Sequence, residues 1–222
     1  MILDASARMD RMYRHQRHIY DLSRKFYLLG RDRLIAELAL LPGESVCEIG
    51  CGTGRNLVAL ARRYPGVGIF GIDASEEMLK TARGTITRSR FGDRIALRRG
   101  LAETMDPETS FGLARKFDAV IFSYALSMIP RWERAIDRAV DALRPGGTLA
   151  VVDFSQQRDL PAWFRAVLRR WLDLFDVHPN PKITGYLAAL AERTGAGFQA
   201  QPLCRDYACL VSYRKPEQAA FS

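Results

Sequence analysis

The stretch that most constrains this chain spans residues 45–56 and reads Ser-Val-Cys-Glu-Ile-Gly-Cys-Gly-Thr-Gly-Arg-Asn. A short apolar strand, 46–49, runs into three alternating glycines, Gly50, Gly52 and Gly54. A helix then opens with Leu57, Val58, Leu60 and Ala61 on its apolar side. Strand, glycine turn and helix together form a nucleotide-type site. Glycines let a ligand touch backbone, and a helix N-terminus favours negative charge. The spacing narrows the ligand. A dinucleotide fingerprint requires G-x-G-x-x-G, but Arg55 stands where its third glycine belongs. Glu48 lies two residues before Gly50, and Asp73 follows a second expected strand, 67–72. A carboxylate about 20 residues after the glycines suits a ribose diol. The plainer reading is a glycine-rich turn, with Asp73 capping a helix from Ser75 onward.

The pattern Glu48-x-Gly50-x-Gly52-x-Gly54 resembles motif I of the class I S-adenosylmethionine-dependent methyltransferases. The resemblance implies an α/β Rossmann-like sheet of seven strands, mostly parallel with the last antiparallel, and helices on both faces. It implies S-adenosylmethionine as cofactor. The glycine turn would lie against its methionine and ribose, and the helix end against its carboxylate. By the same resemblance the cofactor-binding residues are Glu48, Gly50, Cys51, Gly52, Gly54, Asn56, Asp73, Ala74, Met78, Leu101, Ala102 and Ser123. The family often carries an acidic residue before the alanine that contacts adenine. Leu101 stands there instead, leaving backbone N–H groups of Leu101 and Ala102 for that contact.

At 222 residues and 48% hydrophobic content, the chain reads as one globular domain with a full core. No run of 18 apolar residues exists to span a membrane. The N-terminus is charged from Asp4 onward and lacks the apolar stretch of a signal peptide. Four cysteines without a C-x-x-C fit reduced thiols, so the expected location is cytoplasmic. His15, His18 and His178 form no metal-ligand spacing. The net charge of +8 calls for an anionic partner.

Residues 4–40 read as a helical region crowded with cations (Arg8, Arg11, Arg14, Arg17, Arg24, Lys25, Arg31, Arg33) and interleaved with Tyr13, Tyr20, Phe26 and Tyr27. That mixture suits a helix lying in a membrane interface, or a packing helix with a solvated basic face. Gly30 marks an expected break. Strands are expected at 95–98, 117–122 and 148–154, with helices at 54–64, 75–87 and 131–142 and a turn at 143–147. Ser123 and Tyr124 end the fourth strand, where the fold puts its reacting centre. Over 159–177, Trp163, Phe164, Val167, Leu168, Trp171, Leu172 and Phe175 form one broad apolar face flanked by Arg165, Arg169 and Arg170. Tryptophan on a basic amphipathic helix suits the lipid headgroup boundary, or packing on the sheet. A helix at 182–193 and strands at 198–203 and 208–213 close the chain, as the antiparallel hairpin of class I methyltransferases does.

The N-terminal stretches Met9–Tyr13, Arg17–Asp21 and Arg24–Asp32 resemble the opening of the betaine-lipid N-methyltransferases (BtaB family). The resemblance implies three successive methylations of the diacylglycerylhomoserine amine. Phosphatidylethanolamine N-methyltransferases are the nearest rival. It implies residues 1–41 as a helical lid and membrane-contact segment, and residues 42–222 as the methyltransferase domain. The enzyme would sit on the inner face of an anionic membrane. Methyl transfer from a sulfonium needs alignment and exclusion of water rather than a metal or protein nucleophile. Tyr20, Tyr27 and Tyr124 are the candidate catalytic residues, since aromatic faces hold methylated ammonium. Tyr27 and Arg31 are expected to reach the cofactor, and Arg31 can hold a carboxylate or phosphate. A nucleic-acid methyltransferase is disfavoured by Ser-Tyr-Ala-Leu after strand four, where an Asn/Asp-Pro-Pro-Tyr type motif is usual. A soluble small-molecule methyltransferase, and a non-enzymatic S-adenosylmethionine-binding protein that docks on membranes, are the other readings.

Overall fold

The computed structural model describes residues 29–173 and 179–217. Seven strands form one sheet in the order β3-β2-β1-β4-β5-β7-β6. They are β1 (Ser45–Ile49), β2 (Gly68–Asp73), β3 (Ile95–Arg99), β4 (Phe117–Ser123), β5 (Leu143–Phe154), β6 (Gly197–Leu203) and β7 (Ala208–Arg214). Strands β1 to β5 pair in parallel, and β7 runs antiparallel to both β5 and β6. One strand is therefore reversed, as expected. The order switches direction between β1 and β4, the place where open α/β sheets bind ligands beyond the carboxyl ends of their strands.

Both central strands, β1 and β4, are buried along their whole length. This is the signature of strands covered on both faces. Alternating residues sort the core into two layers. Val46, Ala119, Ile121, Ala150 and Val152 pack with α1 (Arg31–Glu37), α2 (Arg55–Arg63) and α3 (Glu76–Ser89), through Leu34, Ile35, Leu57, Leu60 and Leu79. Cys47, Ile49, Val120, Phe122, Leu149 and Val151 face the other way. There they meet α5 (Trp132–Asp141) and α7 (Lys182–Thr194), through Ala135, Ile136, Ala139, Leu187 and Ala191. The short α4 (Pro107–Phe111) is capped by Asp106, which accepts from Thr109 N at 2.9 Å. Helix α6 (Ala162–Asp173) follows β5.

A polar latch ties the amino ends of three strands. Asp118 accepts hydrogen bonds from Ser45 N at 2.8 Å, Ser45 Oγ at 3.1 Å and the Arg144 guanidinium. Burial opposes the Asp118 charge, but Arg144 and Ser45 prevail and hold its carboxyl below the usual range.

Two expectations change. The turn expected at 143–147 lies inside β5, which begins at Leu143 opposite Phe117 with a register shift between Phe117 and Ala119. Proline and glycine there kink an edge of the pairing instead of ending it. The helix expected over 159–177 starts at Ala162, and 174–178 lie outside the described residues. Of the N-terminal helical region, the described part holds α1, entered through Gly30 at φ +85°. No helix among the described residues is long and apolar enough to cross a membrane.

Candidate active site

The three loop glycines take φ values of +75°, +52° and +76° at Gly50, Gly52 and Gly54. A side chain is disfavoured in this left-handed region. At Gly50 a Cβ would also lie 2.6 Å from Ala125 Cβ. The turn is held from below: Gly50 N and Cys51 N both donate to Ile72 O, at 2.8 and 3.1 Å. Asp73 holds it from the side, its Oδ2 accepting from Gly52 N at 2.8 Å. Its Oδ1 accepts from Ser75 N at 2.9 Å, and Ser75 Oγ caps α3 by accepting from Met78 N. Ser75, not Asp73, is therefore the N-cap of α3, and Asp73 ties the glycine turn to the residue that caps the helix. Behind the loop, Glu48 Oε1 accepts from Asn56 Nδ2 at 2.7 Å, tying the end of β1 to the first turn of α2.

A cavity of about 400 Å³ opens above this turn. Gly50, Gly52, Asp73, Ala74, Met78, Leu101, Ala102 and Tyr124 lie on its wall. Arg31, Glu48, Cys51, Gly54, Asn56 and Ser123 do not. Glu48, Asn56 and Gly54 shape the loop from behind. Arg31 stands in the first turn of α1. Tyr20 and Tyr27 lie outside the described residues.

Tyr124 sits at φ +55° and is nearly fully buried. Its hydroxyl donates to Leu29 O at 2.6 Å, and its ring meets Phe154 edge-on at 4.7 Å between centroids. Burial first, then the neighbouring Tyr207 and Asp153, push its ionisation well above the ordinary tyrosine range. The hydroxyl thus keeps its proton and serves as a donor.

Sequence reasoning missed the far wall. Met128, Ile129, Pro130, Arg131 and Arg134 close the cavity after β4, and Glu103 and Thr104 border it after β3. The apolar Met128-Ile129-Pro130 run, between a strand end and a helix start, was the available signal. This wall is tethered by Asp153, whose carboxylate accepts from Ser127 N at 3.2 Å and Phe154 N at 2.8 Å. Burial pushes Asp153 up to about 6 against those two donors.

Residues 40–189 match a family described as "Methyltransferase domain". The demethylmenaquinone methyltransferase of Lactiplantibacillus plantarum is 31% identical over 127 residues, covering 57% of this chain and 52% of that protein. The trans-aconitate 2-methyltransferase of Variovorax paradoxus is 33% identical over 118 residues, covering 53% and 41%. The chain thus spans about half the length of the curated relatives it matches. Among solved structures, the S-adenosylmethionine-dependent methyltransferase SibL aligns over 92% of this chain and 57% of its own, with a TM-score of 0.61 and 23% identity. An O-methyltransferase family protein from Burkholderia thailandensis aligns over 89% and 57%, with a TM-score of 0.65 and 19% identity. At these identities the likeness is one of fold.

Proposed function

The chain belongs to the methyltransferase domain family, and from that footing we propose that it methylates the amine of a lipid headgroup at an anionic membrane surface. The cofactor is S-adenosylmethionine, and the cavity suits it. Its volume of about 400 Å³ falls within the range of small-molecule clefts, about 300–1,000 Å³. In this reading the bare backbone of Gly50 and Gly52 would face the methionine end, and Asp73, also on the cavity wall, would accept from the ribose diol. Ile72, Met78, Leu101, Ala102, Met128 and Ile129 offer apolar surface for a purine ring.

When bound, the cofactor supplies a methyl group already activated on a sulfonium. The chain's residues must then align the acceptor and keep water out. A bound S-adenosylmethionine would give its methyl to the acceptor nitrogen's lone pair and keep the carbon–sulfur electron pair on sulfur, while the wall formed by Tyr124, Met128 and Ile129 would confine the acceptor beside it. Before each attack the nitrogen must give up its ammonium proton, to water or to the substrate's own carboxylate, because only the free amine has the lone pair that forms the bond. Tyr124 takes no proton in this scheme. It presents an aromatic wall beside the acceptor and anchors Leu29 through its hydroxyl.

The observation that carries the lipid reading is the outer face of α6. Trp163 is 70% exposed, Val167 62% and Phe164 38%. Arg165 and the exposed Arg170 stand among them. Large apolar side chains left in water beside cations suit the boundary of an anionic bilayer. We take the specific substrate to be diacylglycerylhomoserine, methylated three times to the betaine lipid. Relatives named for demethylmenaquinone and trans-aconitate favour a second reading, a small-molecule acceptor.

The test is to incubate the protein with labelled S-adenosylmethionine and micelles of diacylglycerylhomoserine or phosphatidylethanolamine, resolving products by mass. Three additions to the homoserine lipid are expected. Methylation of phosphatidylethanolamine alone would move the substrate to the phospholipids. No lipid product would overturn the lipid reading in favour of the small-molecule one.

A further inference from the structure

Several arginines in this fold have partners within it. Arg138 pairs with Asp141 at 3.8 Å, Arg83 with Glu76 at 2.7 Å, and Arg94 donates to Ala61 O, Tyr64 O and Val67 O. Arg131 and Arg134 differ. Both line the cavity, and neither guanidinium has a hydrogen-bond or ion-pair partner among the described residues. The carboxylates of the cavity wall do not neutralise them. Asp73 accepts from Gly52 N and Ser75 N, and Glu103 makes no ion pair with either arginine.

Their positions are poor ones for stability. Arg131 is the N-cap of α5 and Arg134 its third residue. A capping box puts Ser or Thr and Glu or Gln at those two positions, where their oxygens accept from N–H groups that the helix leaves free. Arginine has donors only, and Arg131 makes no side-chain cap. Cations are also disfavoured at the positive end of a helix, and like charges this close repel. Helix stability therefore explains neither residue. Local rules broken together at the wall of a cavity point to a ligand.

The ligand that satisfies both side chains is an oxyanion, since the guanidinium fork matches carboxylate and phosphate. S-adenosylmethionine carries one such group, its carboxylate, at the methionine end that the reading above assigns to the glycine turn. The arginines are left for the acceptor. Arg131 also continues the acceptor's wall: Tyr124, Met128, Ile129, Pro130 and Arg131 all line the cavity from the single stretch 124–131. We propose that Arg131 and Arg134 form an anion subsite for the acceptor, holding a carboxylate or phosphate of the molecule whose nitrogen is methylated. This deepens the reading above and rests on it for the nitrogen and the acyl chains. A homoserine headgroup brings the anion as a carboxylate, a phosphoethanolamine headgroup as a phosphate. Methylation alters the nitrogen and leaves the anion untouched, so the same contact serves each successive methylation.

The direct test does not require turnover. In the full chain with S-adenosylhomocysteine bound, the Nε–H resonances of Arg131 and Arg134, assigned from Arg131→Gln and Arg134→Gln, are followed as homoserine, phosphoethanolamine or ethanolamine is added. A saturable shift with at least one of the two anionic-group compounds is expected, and the compound that gives it identifies the anion. A shift with neither, or an equal one with ethanolamine or acetate, overturns the proposal. Kinetics on diacylglycerylhomoserine and phosphatidylethanolamine accompany it. The double variant Arg131→Gln, Arg134→Gln should melt no lower than the parent, bind S-adenosylhomocysteine equally and sediment equally with anionic vesicles. Its acceptor KM should rise about tenfold or more, the loss expected for hydrogen bonds to a charged group. Unchanged KM with parental turnover intact overturns the proposal, as does a loss of S-adenosylhomocysteine affinity or vesicle binding in its place. No lipid turnover by the parent, with the resonance shift present, overturns the lipid reading and leaves the anion subsite standing for a soluble acceptor.

Discussion

Asp73 Oδ2 accepts a hydrogen bond from Gly52 N at 2.8 Å, so the carboxylate at the end of β2 holds the glycine turn that follows β1. The two sequence signals are thereby one device. Register makes this possible: β1 and β2 pair residue for residue from Ser45 with Gly68 to Ile49 with Ile72, bringing both strand ends to the same level. Asp73 shapes the loop with one oxygen and stands on the cavity wall.

Asp73→Asn should therefore weaken cofactor binding. A hydrogen bond to a charged group contributes about 1.5–3 kcal/mol, which is roughly a tenfold to hundredfold loss. Calorimetric titration with S-adenosylhomocysteine checks it; an unchanged affinity would remove Asp73 from the site.

Gly50→Ala tests the turn. The left-handed backbone costs an alanine about 1–2 kcal/mol, and crowding against Ala125 adds about 1–3 kcal/mol. Gly112 has a similar φ of +69° but open space around it. Gly112→Ala should therefore show the backbone cost only. Urea unfolding of the two variants separates the terms, and equal losses would mean that Ala125 simply moves aside.

The latch at the opposite end of the sheet sets an acid limit. Asp118 is held below the usual carboxylate range in the folded chain. Its contribution is therefore complete above the unfolded value of about 3.9 and disappears as pH falls through the lower folded value. Asp118→Asn should cost about 1.5–3 kcal/mol at neutral pH. Thermal midpoints of parent and variant should converge below about pH 3.

Asp153 has the reverse sign. Its folded value is raised to about 6, so the folded chain binds the proton more tightly than the unfolded one. Stability should decline as pH rises from about 4 to the folded value, with the full cost present above it. The same window should be flat in Asp153→Asn. Melting curves across that range read the difference, and parallel profiles would count against a buried ionised Asp153.

Trp163→Glu isolates the outer face of α6. With Trp163 70% exposed, the substitution should leave the melting temperature nearly unchanged. Burying a large apolar side chain contributes about 1.5–3 kcal/mol, so binding to anionic vesicles should fall about tenfold or more. Parental binding should also weaken with salt, because exposed charges are screened over about 8–10 Å. Sedimentation with anionic and zwitterionic vesicles measures both, and equal binding to zwitterionic vesicles at high salt would contradict the charge argument.

Features that depend on neighbours in sequence were readable from the chain. Three alternating glycines prescribe a left-handed turn, Ser75 prescribes a helix start, and short near-continuous apolar runs prescribe strands buried on both faces. These are properties of short stretches, set by backbone sterics and side-chain period. The turn expected at 143–147 failed for the complementary reason: strand pairing with Phe117 carries a Pro-Gly-Gly stretch through as a kink. Partners far apart in the chain were out of reach. Tyr124 finds Leu29 across 95 positions, and Gln157 is pinned by Asp206 across the β5–β7 pairing. Nor could periodicity reveal that Met128, Ile129 and Arg131 would share a cavity wall with Asp73. Such contacts depend on how strands stack side by side and how loops cross their ends, and each is a choice among many chain-distant neighbours that no local pattern encodes.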